Sequence, residues 1–168
     1  MYKQIVDMTM RLSAHFTLGE MCYSNKAANH KPEPIPNIPL KQNIVALKNL
    51  VDRCLEPMRM ALKLPIQVNS GYRCQLVNTL VRGVPTSQHM KGEAADLTIP
   101  VKHRPFSVTN DEQAARLLLM YAKQYADYDQ LILEHYKKGD KEVWWLHISC
   151  RIDYRKNRHQ IINDLIKK

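Results

Sequence analysis

Apolar residues at Ile44, Leu47, Leu50, Val51, Cys54, Leu55, Met58 and Leu62 recur at helical spacing, which predicts a helix with one buried stripe from about Asn43. Pro57 falls inside that stripe and predicts a kink or break one turn earlier, because its ring removes an N–H and crowds the preceding turn. Upstream, Phe16-Thr17-Leu18-Gly19-Glu20-Met21 reads as a helix start: Thr17 caps, Glu20 reaches back, and Phe16 meets Met21 as a hydrophobic staple. Four prolines between Asn29 and Pro39 rule out a regular helix there and predict a loop. Pro65 to Asn69 and Ala94 to Ile99 read as strands, with a helical piece from about Cys74 to Val81 and a loop over 82–87 between them. Thr109-Asn110-Asp111-Glu112 reads as a second capping box, opening a helix that runs to about Tyr125. Tyr128–Tyr136 and Glu142–Ser149 form a hairpin around Gly139-Asp140, and about Asn157 to Ile166 reads as a last amphipathic helix. This order predicts a single α+β domain in which helices pack on a small antiparallel sheet.

Composition narrows the class without choosing a function. The chain has 168 residues, 45% hydrophobic and 24% charged, a balance suited to one folded domain and unlike a disordered or fibrous chain. It contains no apolar run long enough to span a membrane. The N-terminal stretch has no compact apolar core or small-residue cleavage site, so the expectation is no signal peptide and synthesis in the cytoplasm. Lys and Arg number 25 against 16 Asp and Glu, and the resulting charge of +9 favours an anionic partner such as nucleic acid, an anionic membrane surface or an acidic wall polymer. A nucleic-acid binder is disfavoured, since neither a helix-turn-helix nor an interleaved aromatic–basic motif is present. Cys22, Cys54, Cys74 and Cys150 are widely spaced with no CxxC pair, so they are expected to be reduced and mostly buried.

Two histidines have informative neighbours: His89 in Ser87-Gln88-His89-Met90-Lys91-Gly92-Glu93-Ala94-Ala95-Asp96, and His147 in Trp144-Trp145-Leu146-His147. Imidazole nitrogen and carboxylate oxygen are zinc ligands, and a His, Asp, His set would leave one tetrahedral position open, as catalytic sites require. By spacing alone the three are also compatible with a loop histidine, a hydrogen-bonded turn aspartate and a core histidine.

The pattern Ser-x-His-x-x-Gly-x-Ala-x-Asp followed by Trp-x-His resembles the zinc-dependent D-alanyl-D-alanine peptidase family, which includes bacterial carboxypeptidases and phage endolysins and shares its fold with the hedgehog signalling domain. Ser70-Gly71-Tyr72-Arg73, Asn78 and Asp129-Gln130-Leu131-Ile132-x-Glu134 match in order. Phe16-Thr17-Leu18-x-Glu20 and Leu55-Glu56-Pro57 are similar to the phage and prophage branch. The resemblance covers about Phe16 to Ser149. It implies one zinc ion per chain, ligated by His89, Asp96 and His147, with Arg73 binding substrate and the developing oxyanion. It also implies hydrolysis of peptidoglycan stem peptides, as a D-Ala-D-Ala carboxypeptidase or an endolysin released by a holin, by a chain expected to be monomeric. A non-catalytic zinc-binding interaction module of the same fold is the alternative.

Many members of that family place a Glu three residues before the last histidine, and here that position is Trp144. Glu142 and Glu134 remain as general-base candidates, with Asp129 an outsider. Side chains alternate along a strand, so Glu142, five residues from His147, faces away from it. Folding the hairpin about Gly139-Asp140 pairs Lys138 with Lys141 and hence Glu134 with Trp145, on the face of His147. Glu134 is therefore the expected base. Ser87, Gln88 and Gln130 are candidate hydrogen-bonding partners of substrate or of the ligands, and Trp145 a candidate groove wall; each could equally be structural.

Overall fold

A computed structural model describes residues 6–167; part of the stretch read for a signal, and Lys168, lie outside them. The chain runs through α1 (Leu18–Cys22), α2 (Asn25–Ala28), α3 (Lys41–Leu50), α4 (Glu56–Leu62), β1 (Gln67–Ser70), α5 (Gln75–Leu80), β2 (Ala94–Thr98), α6 (Asp111–Tyr125), β3 (Gln130–Lys138), β4 (Lys141–Ser149) and β5 (Gln160–Ile166). The strands form one mixed sheet in the order β1-β2-β4-β3-β5. No helix among the described residues is long and apolar enough to cross a membrane.

The N-terminal cap forms as the sequence reads: Thr17 Oγ1 accepts from Glu20 N–H at 3.3 Å, and Thr17 N–H donates to Glu20 Oε2 at 2.8 Å. Pro57 acts one turn upstream, where Val51–Leu55 widen into a π-turn that joins α3 to α4. The cap of α6 sits one residue later than the Thr109 reading: Asn110 Oδ1 accepts from Gln113 N–H at 2.9 Å, while Thr109 donates its N–H to the Gln113 side chain. Asparagine is the stronger cap, and Gln113 can reach back just as Glu112 was expected to.

Alternation along the strands divides the sheet into two faces. Leu131 and Leu133 of β3, Leu146 and Ile148 of β4, and Ala95 and Leu97 of β2 turn toward α6 and the α3–α4 segment, where they join Leu50, Leu55, Met58 and Leu118 in a fully buried core. Ile132, Glu134, Trp145, His147 and Asp96 turn to the opposite face and line a groove of about 1110 Å³. The core thus holds the floor of the groove rigid from behind.

Two expectations are corrected. The sheet is not purely antiparallel, because β5 runs parallel to β3. That strand occupies the segment expected to be the C-terminal helix at 157–166. Its register explains the error: Ile132 pairs with Ile162 but Glu134 with Leu165, so β5 carries one extra residue in the middle. The bulge spaces Ile161, Ile162, Leu165 and Ile166 as a helix face would be spaced, although they lie on a bulged strand. The open outer edge of β3 decides the matter, since pairing satisfies its backbone groups.

Cys22, Cys54 and Cys150 are buried free thiols and Cys74 is half-buried. Burial pushes the Cys22 thiol up to about 12, which keeps it protonated and unreactive at neutral pH.

Candidate metal centre

The first imidazole is delivered by a short loop. Ser87 precedes a single 3-10 turn over Gln88–Lys91, and Gly92, at φ +78°, ends it and turns the chain into β2. A side chain at Gly92 would be strained by that φ and would press on the Asn43 carbonyl. His89 is buried, and its Nδ1–H donates to the Gly71 carbonyl at 2.7 Å. That bond fixes the ring and leaves Nε2 as the free lone pair. Gly71 has no room for a Cβ, which would lie 2.2 Å from the Met21 carbonyl oxygen. Glycine is needed there because α1 and the end of β1 approach backbone to backbone, with Tyr72 N–H on the same Met21 carbonyl at 2.7 Å.

Asp96 and His147 arrive on neighbouring strands. They pair directly across β2 and β4 and share the groove face. His147 Nδ1 is 3.0 Å from Asp96 Oδ1, and His89 Nε2 is 3.3 Å from each of these two atoms. Tetrahedral zinc with ligands at about 2.0–2.1 Å spaces them about 3.3–3.4 Å apart. The triangle therefore has the size and the donor chemistry of a zinc site with three protein ligands. Among the described residues these three form the one His/Cys/Asp/Glu cluster of metal-binding geometry. Burial pushes His89 down toward its neutral, ligating form. Burial alone would raise the Asp96 carboxyl, but His89 and His147 hold it well below the usual range, so it is an anion at neutral pH.

Arg73 is drawn into the same cluster. Its backbone N–H bonds the His89 carbonyl, its Nε donates to Ser70 Oγ at 2.7 Å, and its Nη2 donates to Asp96 Oδ2 at 2.6 Å. The guanidinium thus holds the carboxylate oxygen opposite the imidazoles while lining the groove.

The two glutamates separate by face. Glu134 pairs with Trp145 in the register read from the Gly139-Asp140 turn, is buried, and lines the groove. Glu142 lies on the other face, where its carboxylate accepts the Trp144 indole N–H at 3.2 Å. Asp129 is fully buried and gripped by Arg151, Arg158 and the Gln88 amide, away from the metal ligands. Gln88 therefore serves Asp129 as well as the groove wall. Gln130 donates to Gln160 and ties β3 to β5, and Ser87 lines the groove. Trp145 is half-buried against Tyr136, and its indole N–H is enclosed without a partner among the described residues. Three contacts were not legible from the sequence: the Gly71 carbonyl behind His89, Arg73 behind Asp96, and Lys167 Nζ at 2.7 Å from Glu134 Oε1. No local signal could have revealed them, since each joins residues distant in the chain.

A mixed sheet thus places a His, Asp, His triangle able to hold one metal ion at the foot of an open groove. The sequence profile of the Peptidase M15 family matches residues 14–122, well over half of the chain, and the protein belongs to that family of zinc peptidases. The matched span contains Arg73, His89 and Asp96; His147 and Glu134 lie beyond it and are joined to them by the sheet. No curated protein matches the chain.

Proposed function

We propose that the protein is a peptidoglycan peptidase that hydrolyses stem peptides, most readily at a D-Ala-D-Ala or similar D-amino-acid bond, with Glu134 as general base. Membership of Peptidase M15 makes it a zinc metallopeptidase with peptidoglycan as substrate. The observation that carries the finer reading is the presence of a buried carboxylate, Glu134, on the same face of the hairpin as His147 and in the same groove as the three ligands.

His89, Asp96 and His147 would hold the zinc ion, which supplies Lewis acidity that makes water nucleophilic near neutral pH. Glu134 takes a proton from the attacking water as its oxygen bonds to the scissile carbonyl carbon. The same carboxyl then gives that proton to the amine nitrogen as the C–N bond breaks. Arg73 presents a fixed positive charge to the oxygen that becomes negative in between, a contribution of roughly 3–4 kcal/mol for a well-placed donor. The Ser87 hydroxyl is placed to bond the peptide along the groove, beside Gln88 and Gln130, while the Trp145 ring forms part of the wall. Basic residues at the rim, among them Arg82, Lys91, Lys137 and Lys156, suit a substrate that carries free carboxylates.

Digestion of muropeptides by the zinc-loaded protein, read by mass spectrometry, tests this. The wild type releases a defined amino acid or peptide, and Glu134→Gln keeps its zinc while losing activity by about 10²-fold or more. A zinc-loaded wild type that cuts no muropeptide would overturn the proposal in favour of a zinc-binding interaction module.

A further inference from the structure

Glu134 is 5% exposed, and a buried polar group is costly unless it is paired. Among the described residues its one polar partner is Lys167, whose Nζ stands 2.7 Å from Oε1. The ammonium reaches this point through a built arrangement. β5 runs parallel to β3 with Glu134 opposite Leu165 and His135 opposite Ile166, and Lys167 N–H continues the ladder to the His135 carbonyl at 2.8 Å. Three residues before Lys167, Asp164 accepts from Nε2–H of buried His135 at 2.7 Å, and at the strand's start Gln160 bonds Gln130. Bonds along the full length of β5 therefore deliver one cation to one carboxylate inside the groove.

We infer that Lys167 is a positioning residue for the hydrolysis: it anchors Oε1 of Glu134 so that Oε2 is the oxygen turned to the attacking water. This rests on Glu134 being the general base. A carboxylate held at one oxygen loses its rotational freedom, and misplacement of a catalytic group by even 1 Å costs rate. Lysine suits the task, because a compact ammonium on a flexible stem holds a single oxygen, where a guanidinium fork would grip both.

Steady-state kinetics of wild type, Lys167→Met and Lys167→Arg on a purified muropeptide, with a crystal structure of the zinc-loaded full chain, test the inference. In the crystal structure Lys167 Nζ lies within hydrogen-bond distance of Glu134. Lys167→Met lowers kcat about tenfold with KM within about twofold, the signature of an interaction made for the chemical step. Lys167→Arg also leaves kcat low, because its fork takes both carboxylate oxygens and holds Oε2 from the water. Three results overturn the inference: Lys167→Met with wild-type kcat, Lys167→Met with raised kcat (a tail that obstructs the groove), or a crystal structure with Lys167 turned away. A wild type inactive on every muropeptide strikes instead at the peptidase reading, and a fully active Glu134→Gln strikes at Glu134 as base; this inference falls with either.

Discussion

Arg73 Nη2 stands 2.6 Å from Asp96 Oδ2, the carboxylate oxygen that neither imidazole approaches, while Oδ1 of the same residue faces His89 and His147. One side chain thus sets the orientation of a ligand from behind and lines the groove in front of it. On the proposed function, a double duty of this kind would tie metal affinity to catalysis, because loss of the guanidinium frees Asp96 to rotate.

Replacing Arg73 by Met should therefore weaken zinc binding by about 10- to 100-fold, the usual range for partners that orient a metal ligand. Competition with a chromophoric chelator measures it directly. Unchanged affinity in that variant would mean that Ser70 and the backbone are enough to hold the triangle together.

Zinc removal should lower stability as well as activity. The three ligands sit on β2, β4 and the loop between α5 and β2, so an ion bound to them joins separate parts of the native structure. Zinc free at 100 times its dissociation constant stabilises the fold by about 2.7 kcal/mol. For a chain of this size the melting temperature should fall by roughly 5–10 °C on chelation. Calorimetry with and without chelator gives the number, and Asp96→Asn should show a much smaller difference.

Asp129 should govern the acid limit of the fold. Burial opposes its charge, but Arg158 and Arg151 outweigh it and hold the carboxyl well below its ordinary value of 3.8. The unfolded chain therefore binds this proton at a higher pH than the native state does. The stabilisation is complete above about pH 5 and is lost as pH falls below 3.8 toward the native value. Asp129→Asn should cost about 3 kcal/mol at neutral pH, because two guanidinium groups lose their anion. It should also flatten the acid side of the stability curve, as followed by denaturant midpoints between pH 3 and 7; a parallel acid limb in the variant would assign it to other carboxylates.

Local chemistry made much of the architecture readable. Thr17 and Glu20 make a cap within four residues, Pro57 perturbs the turn before it, and alternation along the hairpin divides core from groove. The separation of Glu134 from Glu142 belongs here too, since a two-residue turn leaves one register and strand period does the rest. The fate of residues 157–166 did not: a bulge gave a strand the apolar spacing of a helix, and only the free edge of β3 resolved it.

The residue types able to bind a metal, their order along the chain and the faces they take on the strands follow from the sequence by itself, because these depend on neighbours a few positions away. The 3.0–3.3 Å triangle, the Arg73 and Gly71 contacts behind it, and the arrival of Lys167 at Glu134 are decided by the tertiary structure alone. They join residues up to 58 positions apart in the triangle and more than 30 in the Lys167 contact. Only the packing of helices behind the sheet and the pairing at its outer edge bring such distant positions within bonding range.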